Sequence, residues 1–544
     1  MQDIQGIANF IDDLLGGLQL ISFSIVIGSI LWVWVVLRIW LEPVPRTIVL
    51  HSIQLFRVSA YTLAITQLTK LFIKAFILSS ALGELPLIAY FGTIQFKAGL
   101  IRMVFALVLG IISKQLVKSP DDRLKWITLI LLTIPLVISG AWLVHGAGRF
   151  ENRELLMFMT VLHQLGAAVW LGGVAQLLWL WRACTLSSIA EQLWPVVIKR
   201  FAWLGISSVV LLVVTGILLA WTYVHSWDGL IGTAYGSLVI TKILLLLIAL
   251  GFAYLNFKAG RRWQQDSHSP DVITKVPYYI EAESFILVSI IFVAATLSSQ
   301  PPAADIPDLT ASVSEVAAMF APQFPHLTSP THGELLAVEP GNSAIIGNVP
   351  SAAVVDWSDF NHNVSGVFLT VMGLIAMLSY LGGFQWAKYW PIGFVGLGLF
   401  IFFRADAETW PLGPIGFWES TFGKGEVLQH RIATLLAFVL GIMETRVRVN
   451  EQAHPRMSYL FPVLCACGGI LLLTHTHAEF GLIKKEYLIQ VSHIAMGLLA
   501  ITMACSRWLE LRLATSIGKV AGFVAIVSLI LIGNLLMFYH EPIS

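Results

Sequence analysis

FAWLGISSVVLLVVTGILLAWTYVH (201–225) is a run of 25 residues that contains no Asp, Glu, Lys or Arg. An α-helix rises about 1.5 Å per residue, so a helix of this length spans about 37 Å, more than the roughly 30 Å hydrocarbon core of a bilayer. Similar apolar blocks recur along the whole chain of 544 residues. The sequence therefore predicts an all-α fold, that of a polytopic helical membrane protein.

Apolar blocks counted with a window of about 19 residues predict about 14 transmembrane helices. The second block is interrupted by Gln67, Lys70 and Lys74, and the tenth is short for a bilayer of about 30 Å. A tilted or re-entrant helix is an alternative at both places. The predicted spans are residues 18–40, 58–79, 96–117, 125–146, 155–181, 201–225, 237–257, 277–298, 364–384, 388–404, 427–445, 458–476, 486–506 and 517–538.

The composition excludes an ordinary soluble protein. Hydrophobic residues make up 57% of the chain and charged residues 12%, whereas a soluble domain carries about 25% charged residues. The formal net charge of +1 argues against a nucleic-acid partner, which requires clustered Lys and Arg. The four cysteines form no CxxC motif and indicate no disulfide framework. The lipid bilayer is therefore the predicted environment of most of the chain.

The distribution of positive charge predicts the orientation. Assigning alternate loops to alternate sides places 21 Lys and Arg residues on one side and 7 on the other. Cytoplasmic loops carry the excess of positive charge, so both termini are predicted to lie outside the cytoplasm. The acidic start of the chain lacks the features of a cleaved signal peptide, and the first block is expected to be a retained span.

One long loop divides the predicted helices into two groups. It contains seven Asp and Glu residues, several prolines and no Lys or Arg, a composition that favours an extended or partly disordered linker. The predicted domains are an eight-helix membrane domain (1–298), an acidic external linker (299–363) and a six-helix membrane domain (364–544).

Histidine is concentrated on one side of the predicted topology. Eleven of the fourteen histidines fall on the outer side or at outer helix ends. Imidazole binds copper, zinc and iron, and thioether ligands favour monovalent copper. A surface that captures copper from outside is one interpretation, and a belt of histidines at the membrane interface is the other.

His163 lies deeper than the other histidines, about 13 Å along its predicted helix. Met159 precedes it by one helical turn on the same face, so sulfur and imidazole can bind one ion. Gly166, Gly172 and Gly173 follow and permit the close approach of another helix, which would supply further ligands. The alternative is a histidine that is hydrogen-bonded to a neighbouring helix.

A second His/Met pair occurs in the thirteenth predicted helix, where Met496 follows His493 at helical spacing. The eleventh and twelfth predicted helices add candidate metal ligands, with an interfacial role as the alternative. His362 belongs to the patch DWSDFNHN (356–363), which offers ligands for divalent copper or a solvated helix cap. The candidates of the eleventh and twelfth helices are His430, His475 and His477.

Charged residues inside apolar helices are a further signal, because such groups usually face a bundle interior or a cavity. Lys242 and Glu283 lie on successive predicted helices. A role in transport and a structural ion pair are the two interpretations of these residues.

Several short motifs together resemble the copper resistance protein D (CopD) family. They are HQLGAAVWLGG (163–173), LVVTG (212–216) and GTAYG (232–236), followed by Lys242 and by Glu283 in the next helix. The resemblance covers residues 150–300 and leaves an additional C-terminal membrane region. By this resemblance, the family's characteristic positions are occupied by His163, Trp170, Gly172, Gly173, Lys242 and Glu283.

The resemblance implies a permease of the bacterial inner membrane that moves copper from the periplasm to the cytoplasm. In that membrane the termini, which the charge distribution predicts to lie outside the cytoplasm, would be periplasmic. The resemblance also implies a possible CopC-like periplasmic copper carrier as a partner. We therefore expect copper transport in copper homeostasis or resistance, and no enzymatic activity. The sequence contains no GxxxxGK[ST] motif, so no ATPase is predicted.

Two other functions remain as alternatives. A membrane cytochrome for electron transfer would hold haem between axial imidazoles of the C-terminal helices. A copper-delivery factor would pass copper to a neighbouring membrane oxidase. The candidate haem ligands are His430, His475, His477 and His493.

Overall fold

The computed structural model confirms the all-α fold class. In its described residues, the single β-bridge joins Thr409 and Ile415, and the regular structure is otherwise helical. The predicted ligands His475 and His477 lie outside the described residues. The structure describes residues 2–83, 86–184, 188–266, 269–335, 352–450, 455–474, 483–514 and 516–542.

The long helices follow the order of the predicted spans. The first continues as a π-helix over Trp32–Leu37, and the tenth is preceded by a 3-10 helix over Gln385–Ile392. We label the long helices α1 (Gln2–Leu31), α2 (Arg46–Leu82), α3 (Ile94–Lys118), α4 (Arg123–Ala141), α5 (Arg153–Cys184), α6 (Ser188–Val224), α7 (Ala234–Gln265), α8 (Val276–Leu297), α9 (Ala352–Leu381), α10 (Gly393–Arg404), α11 (Gly425–Val449), α12 (Leu460–Thr474), α13 (Ile483–Arg512) and α14 (Ser516–Met537).

The described residues contain 13 helices that are long and apolar enough to cross a membrane, and the chain is a multi-pass membrane protein. The more polar α11 is not among them, although it covers the predicted eleventh span. Most long helices extend beyond the predicted blocks. Hydropathy detects only the apolar part of a helix, whereas backbone hydrogen bonding continues into its polar ends.

The chain divides into two compact units. Residues 11–223 and 244–299 form the first, which we call the N-terminal unit. Residues 1–10, 224–243 and 300–544 form the second, which we call the C-terminal unit.

Within the N-terminal unit, α2 packs on α3, α3 on α4, and α5 on both α2 and α8. Helices α1 and α5 meet backbone to backbone at Gly28 and Gly172. A Cβ atom added to Gly172 would lie 2.8 Å from the Cα atom of Gly28. Small residues permit this close approach in membrane bundles, where dispersion contacts replace the hydrophobic effect between helices.

The polar residues that interrupt the second predicted span have partners on α1. Lys70 and Lys74 form ion pairs with Asp12 at 3.1 and 2.9 Å, and Gln67 accepts a hydrogen bond from Gln19. Because these groups satisfy one another inside the bundle, α2 remains a continuous helix of 37 residues.

Within the C-terminal unit, α14 packs against α9 and α13, α12 against α13, and α10 against α11. Gly366 and Gly373 of α9 and Gly533 of α14 lie against the facing helix. An added Cβ atom would clash with backbone at Gly366 and Gly533 and with the Ile530 side chain at Gly373. Close packing of small residues therefore holds α9 on α14.

Part of the acidic segment after α8 is folded, whereas its composition favours an extended chain. The short helix Val313–Ala318 is capped by Ser312 in a capping box. Val316 and Met319 pack on Tyr487 of α13. Lys484 forms an ion pair with Glu315 at 2.6 Å, and this bond and those from Ser312 lower the pKa of Glu315 to about 2. Apolar residues and one ion pair thus dock this segment on α13.

We expect Gly172→Ala to lower the thermal unfolding midpoint of the purified protein. The added methyl group overpacks the contact with Gly28, and overpacking costs about 1–3 kcal/mol. Gly205→Ala is the matched control, because no atom lies within 4 Å of a Cβ atom added there. Equal midpoints for the two variants would contradict the close contact.

Candidate functional site

His163 on α5 is held by a threonine of α6. Its Nδ1 atom lies 3.0 Å from the Oγ1 atom of Thr215. The Thr215 hydroxyl donates its only proton to the backbone carbonyl of Leu211, at 2.6 Å. The imidazole Nδ1 must therefore donate to Thr215, which leaves the lone pair of the neutral ring on Nε2. A hydrogen bond that sets the tautomer in this way is typical of metal-binding histidines.

The LVVTG motif (212–216) has a structural explanation at this point. Thr215 bonds the ring, and a Cβ atom added to Gly216 would lie 3.3 Å from the His163 Cε1 atom. The motif thus provides one hydrogen-bond acceptor and room for the imidazole.

Glu283 on α8 is the second polar centre of the N-terminal unit. Its side chain is only 3% exposed. The indole Nε1 of Trp170 donates to Oε1 at 2.7 Å, and the amide Nδ2 of Asn256 donates to Oε2 at 2.9 Å. Both donors are neutral, and among the described residues no Lys, Arg or His forms an ion pair with this carboxyl group. Glu283 is therefore a buried acidic group that no basic side chain of the described residues neutralises.

His163 and Trp170 occupy the same face of α5. They are seven residues apart, which corresponds to two helical turns and a rise of about 10 Å. Met159 precedes His163 by one turn on that face. Three side chains therefore follow one another along α5. They are the thioether of Met159, the imidazole of His163 and the indole of Trp170, which bonds the carboxyl group of Glu283.

Lys242 lies on α7 and is partly buried. In the described part of the chain, no carboxylate forms an ion pair with it. The structural ion pair that was one interpretation of Lys242 and Glu283 is therefore absent from the described residues.

The candidate ligands of the C-terminal unit that the structure describes do not form the group that the sequence predicted. His493 lies beside His362 of α9, with ring centroids 5.8 Å apart. His430 of α11 bonds the carboxylate of Asp406 through Nδ1 at 3.0 Å. Met496 is buried on α13. His362 itself belongs to a long helix rather than to a loop, because α9 begins before the DWSDFNHN patch.

Within the described ranges, no group of three or more His, Cys, Asp or Glu side chains is arranged to hold a metal ion. Thioether ligands favour monovalent copper and imidazole suits copper more generally, so these methionines and histidines are candidate copper ligands.

The family comparison agrees with this chemistry. Residues 195–297, which extend from α6 to the end of α8, match the family model described as Copper resistance protein D. This segment is therefore similar to the CopD family. The matched CopD segment includes Thr215, Lys242, Asn256 and Glu283, whereas His163 and Trp170 lie before it.

A curated relative supports the same assignment. The chain is 24% identical over 180 residues to the Copper transport protein CutJ of Bacillus subtilis (strain 168). The alignment covers 32% of this chain and 31% of CutJ, so the chain matches about a third of that protein's length. No solved structure matches the chain.

Thr215 and Asn256 carry the two centres, and sequence reasoning did not single out either of them. Both are uncharged polar residues within apolar spans. An amide inside an apolar span could have pointed to Asn256, because lipid offers it no hydrogen-bond partner.

We expect Trp170→Phe to destabilise the protein by about 1–3 kcal/mol, the cost of leaving a buried acceptor without a donor. Thermal and denaturant unfolding in detergent measure the loss. Trp221→Phe is the control, because that indole is 78% exposed. The loss should shrink in a Glu283→Leu background, and an equal loss there would show that packing alone causes it.

Proposed function

We propose that this protein transports copper across the bacterial inner membrane, from the periplasm to the cytoplasm. The observation that carries the proposal is the His163–Thr215 hydrogen bond, which places the imidazole lone pair on Nε2 within the bundle. A neutral imidazole with a fixed tautomer is prepared to bind a metal ion. The match of the adjacent segment to the CopD family supports copper as that ion.

The route follows the polar face of α5. Met159 and His163 bind the ion as soft and borderline ligands, and the Glu283 carboxyl group lies two turns further along. An ionised carboxylate attracts the cation, and a proton can replace the cation once it leaves. Asn256 and Trp170 keep both carboxyl oxygens oriented throughout.

The remaining predicted features complete the proposal. Lys242 lies within the same matched segment of residues 195–297 and is proposed to contribute a positive charge to transport. A CopC-like carrier is the proposed source of periplasmic copper, and both termini face the periplasm. Copper crosses as cargo and is not chemically transformed, so the protein is not an enzyme.

The haem alternative receives less support. Of its four candidate ligands, His475 and His477 lie outside the described residues, and among the other two His493 lies beside His362 rather than beside His430. The copper-delivery alternative differs from import in its readout, because it would lower the copper content of an oxidase without lowering cytoplasmic copper.

We expect His163→Ala to reduce copper accumulation to the level of cells that lack the protein. Thr215→Val removes the hydrogen bond that sets the tautomer, and loss of such a bond typically weakens metal binding by about 10–100-fold. Thr215→Ser keeps the hydroxyl group and should retain transport. Accumulation is measured by metal analysis and normalised to the amount of protein in the membrane.

Accumulation by His163→Ala at the wild-type level would contradict the proposed route. Equal accumulation by the valine and serine variants of Thr215 would contradict the role of the tautomer.

A further inference from the structure

The C-terminal unit contains a pair of imidazoles on two different spans. His362 of α9 and His493 of α13 lie with their ring centroids 5.8 Å apart and their planes 84° from parallel. They are 131 positions apart in the chain, so the fold alone brings them together. Neither residue lies in the segment that matches the CopD family.

Both rings are held in the same tautomer. The Nδ1 atom of His362 lies 2.8 Å from the carbonyl oxygen of Ser358, and that of His493 lies 3.1 Å from the carbonyl oxygen of Ile489. A carbonyl oxygen only accepts hydrogen bonds, so each Nδ1 atom must donate. The lone pair of each neutral ring is therefore on Nε2, one of the two nitrogens through which histidine binds metals.

The chain after α14 closes this pair from one side. The ring of Tyr539 stacks on His362 with a centroid separation of 4.1 Å and lies 6.4 Å from His493. Asn363 of α9 donates to the Tyr539 carbonyl at 2.8 Å, and Asp359 accepts from the Glu541 backbone at 2.7 Å. These two hydrogen bonds attach the segment that follows α14 to α9.

Tyr539 contributes no negative charge to the pair. Burial and the carboxylates of Glu541 and Asp359 raise the pKa of Tyr539, so its hydroxyl remains protonated and donates to Glu541 at 3.0 Å. Imidazole nitrogen suits copper, and the thioether of a nearby methionine would favour its monovalent form.

The separation of the rings fits one shared ion. A metal–nitrogen bond is about 2.0 Å, and a ring nitrogen lies just over 1 Å from its centroid. Two imidazoles bound to one ion therefore have centroids up to about 6 Å apart, and the observed 5.8 Å falls within this limit. Met496, buried one turn after His493, adds a thioether to the same part of α13.

We infer that His362 and His493 form a second copper site, one that binds monovalent copper, in the C-terminal unit. The choice of copper as the ion rests on the proposed function, whereas the site itself rests on the two rings. Among the described residues the pair provides two ligands, fewer than the four that a structural zinc ion takes. The C-terminal helices thereby acquire a role in holding copper apart from the CopD segment.

The test is anaerobic titration of the full-length protein in detergent with cuprous ion, in competition with a bicinchoninate chelator. We expect His362→Ala and His493→Ala each to lose one bound copper per chain. The double variant should lose the same single copper, because both residues serve one site. A loss of two coppers in the double variant, or of none, would overturn the inference.

His51→Ala is the matched control. Its ring makes the same type of bond, from Nδ1 to the carbonyl of Thr47 at 2.7 Å, but it lies on α2 in the N-terminal unit. We expect full copper stoichiometry in this variant. His163→Ala separates the two proposals, because it should lose accumulation in cells but keep the copper bound by His362 and His493.

X-ray absorption of the His163→Ala protein loaded with one copper provides a measurement that does not depend on the folding of the double variant. We expect two imidazole nitrogens in the first coordination shell. A first shell without imidazole would overturn the inference. A visible haem band in the wild-type protein that disappears in His493→Ala would also overturn it, with haem as the ligand instead.

Discussion

A polar group inside a bilayer has no water to bond, and this constraint shapes every part of the structure. Each buried polar side chain must find a partner on another helix or on its own backbone. Asp12 meets Lys70 and Lys74 in this way, and Glu283 meets Trp170 and Asn256. Bonds of this kind orient the groups as well as satisfying them, so the same constraint that stabilises the bundle also prepares its candidate sites.

The histidines illustrate how orientation leads to chemistry. His163 donates to a threonine, while His362 and His493 donate to carbonyls of their own helices. In all three residues the Nδ1 atom donates the hydrogen bond, so the lone pair of the neutral ring lies on Nε2. His430 bonds a carboxylate instead, which gives its ring a different electrostatic setting. Histidines of one chain are therefore not equivalent candidates for copper, although composition alone treats them alike.

The packing of small residues provides the second organising feature. Gly172 against Gly28 brings α5 onto α1, and Gly366 and Gly373 bring α9 onto α14. The sequence indicated such an approach at Gly172, because small residues clustered there. It did not indicate which helix would approach, since many helices of the chain carry small residues. The partner is selected by the shape of the whole bundle.

The sequence by itself determined the all-α membrane fold, the approximate number and order of the spans, and the resemblance of residues 150–300 to the CopD family. These properties depend on local hydropathy and short motifs, which are encoded residue by residue. Only the tertiary structure decided that Thr215 sets the tautomer of His163, that Asn256 and Trp170 share Glu283, and that His493 meets His362 rather than His430. Such pairings join helices far apart in the chain, and hydropathy contains no information about which faces will meet.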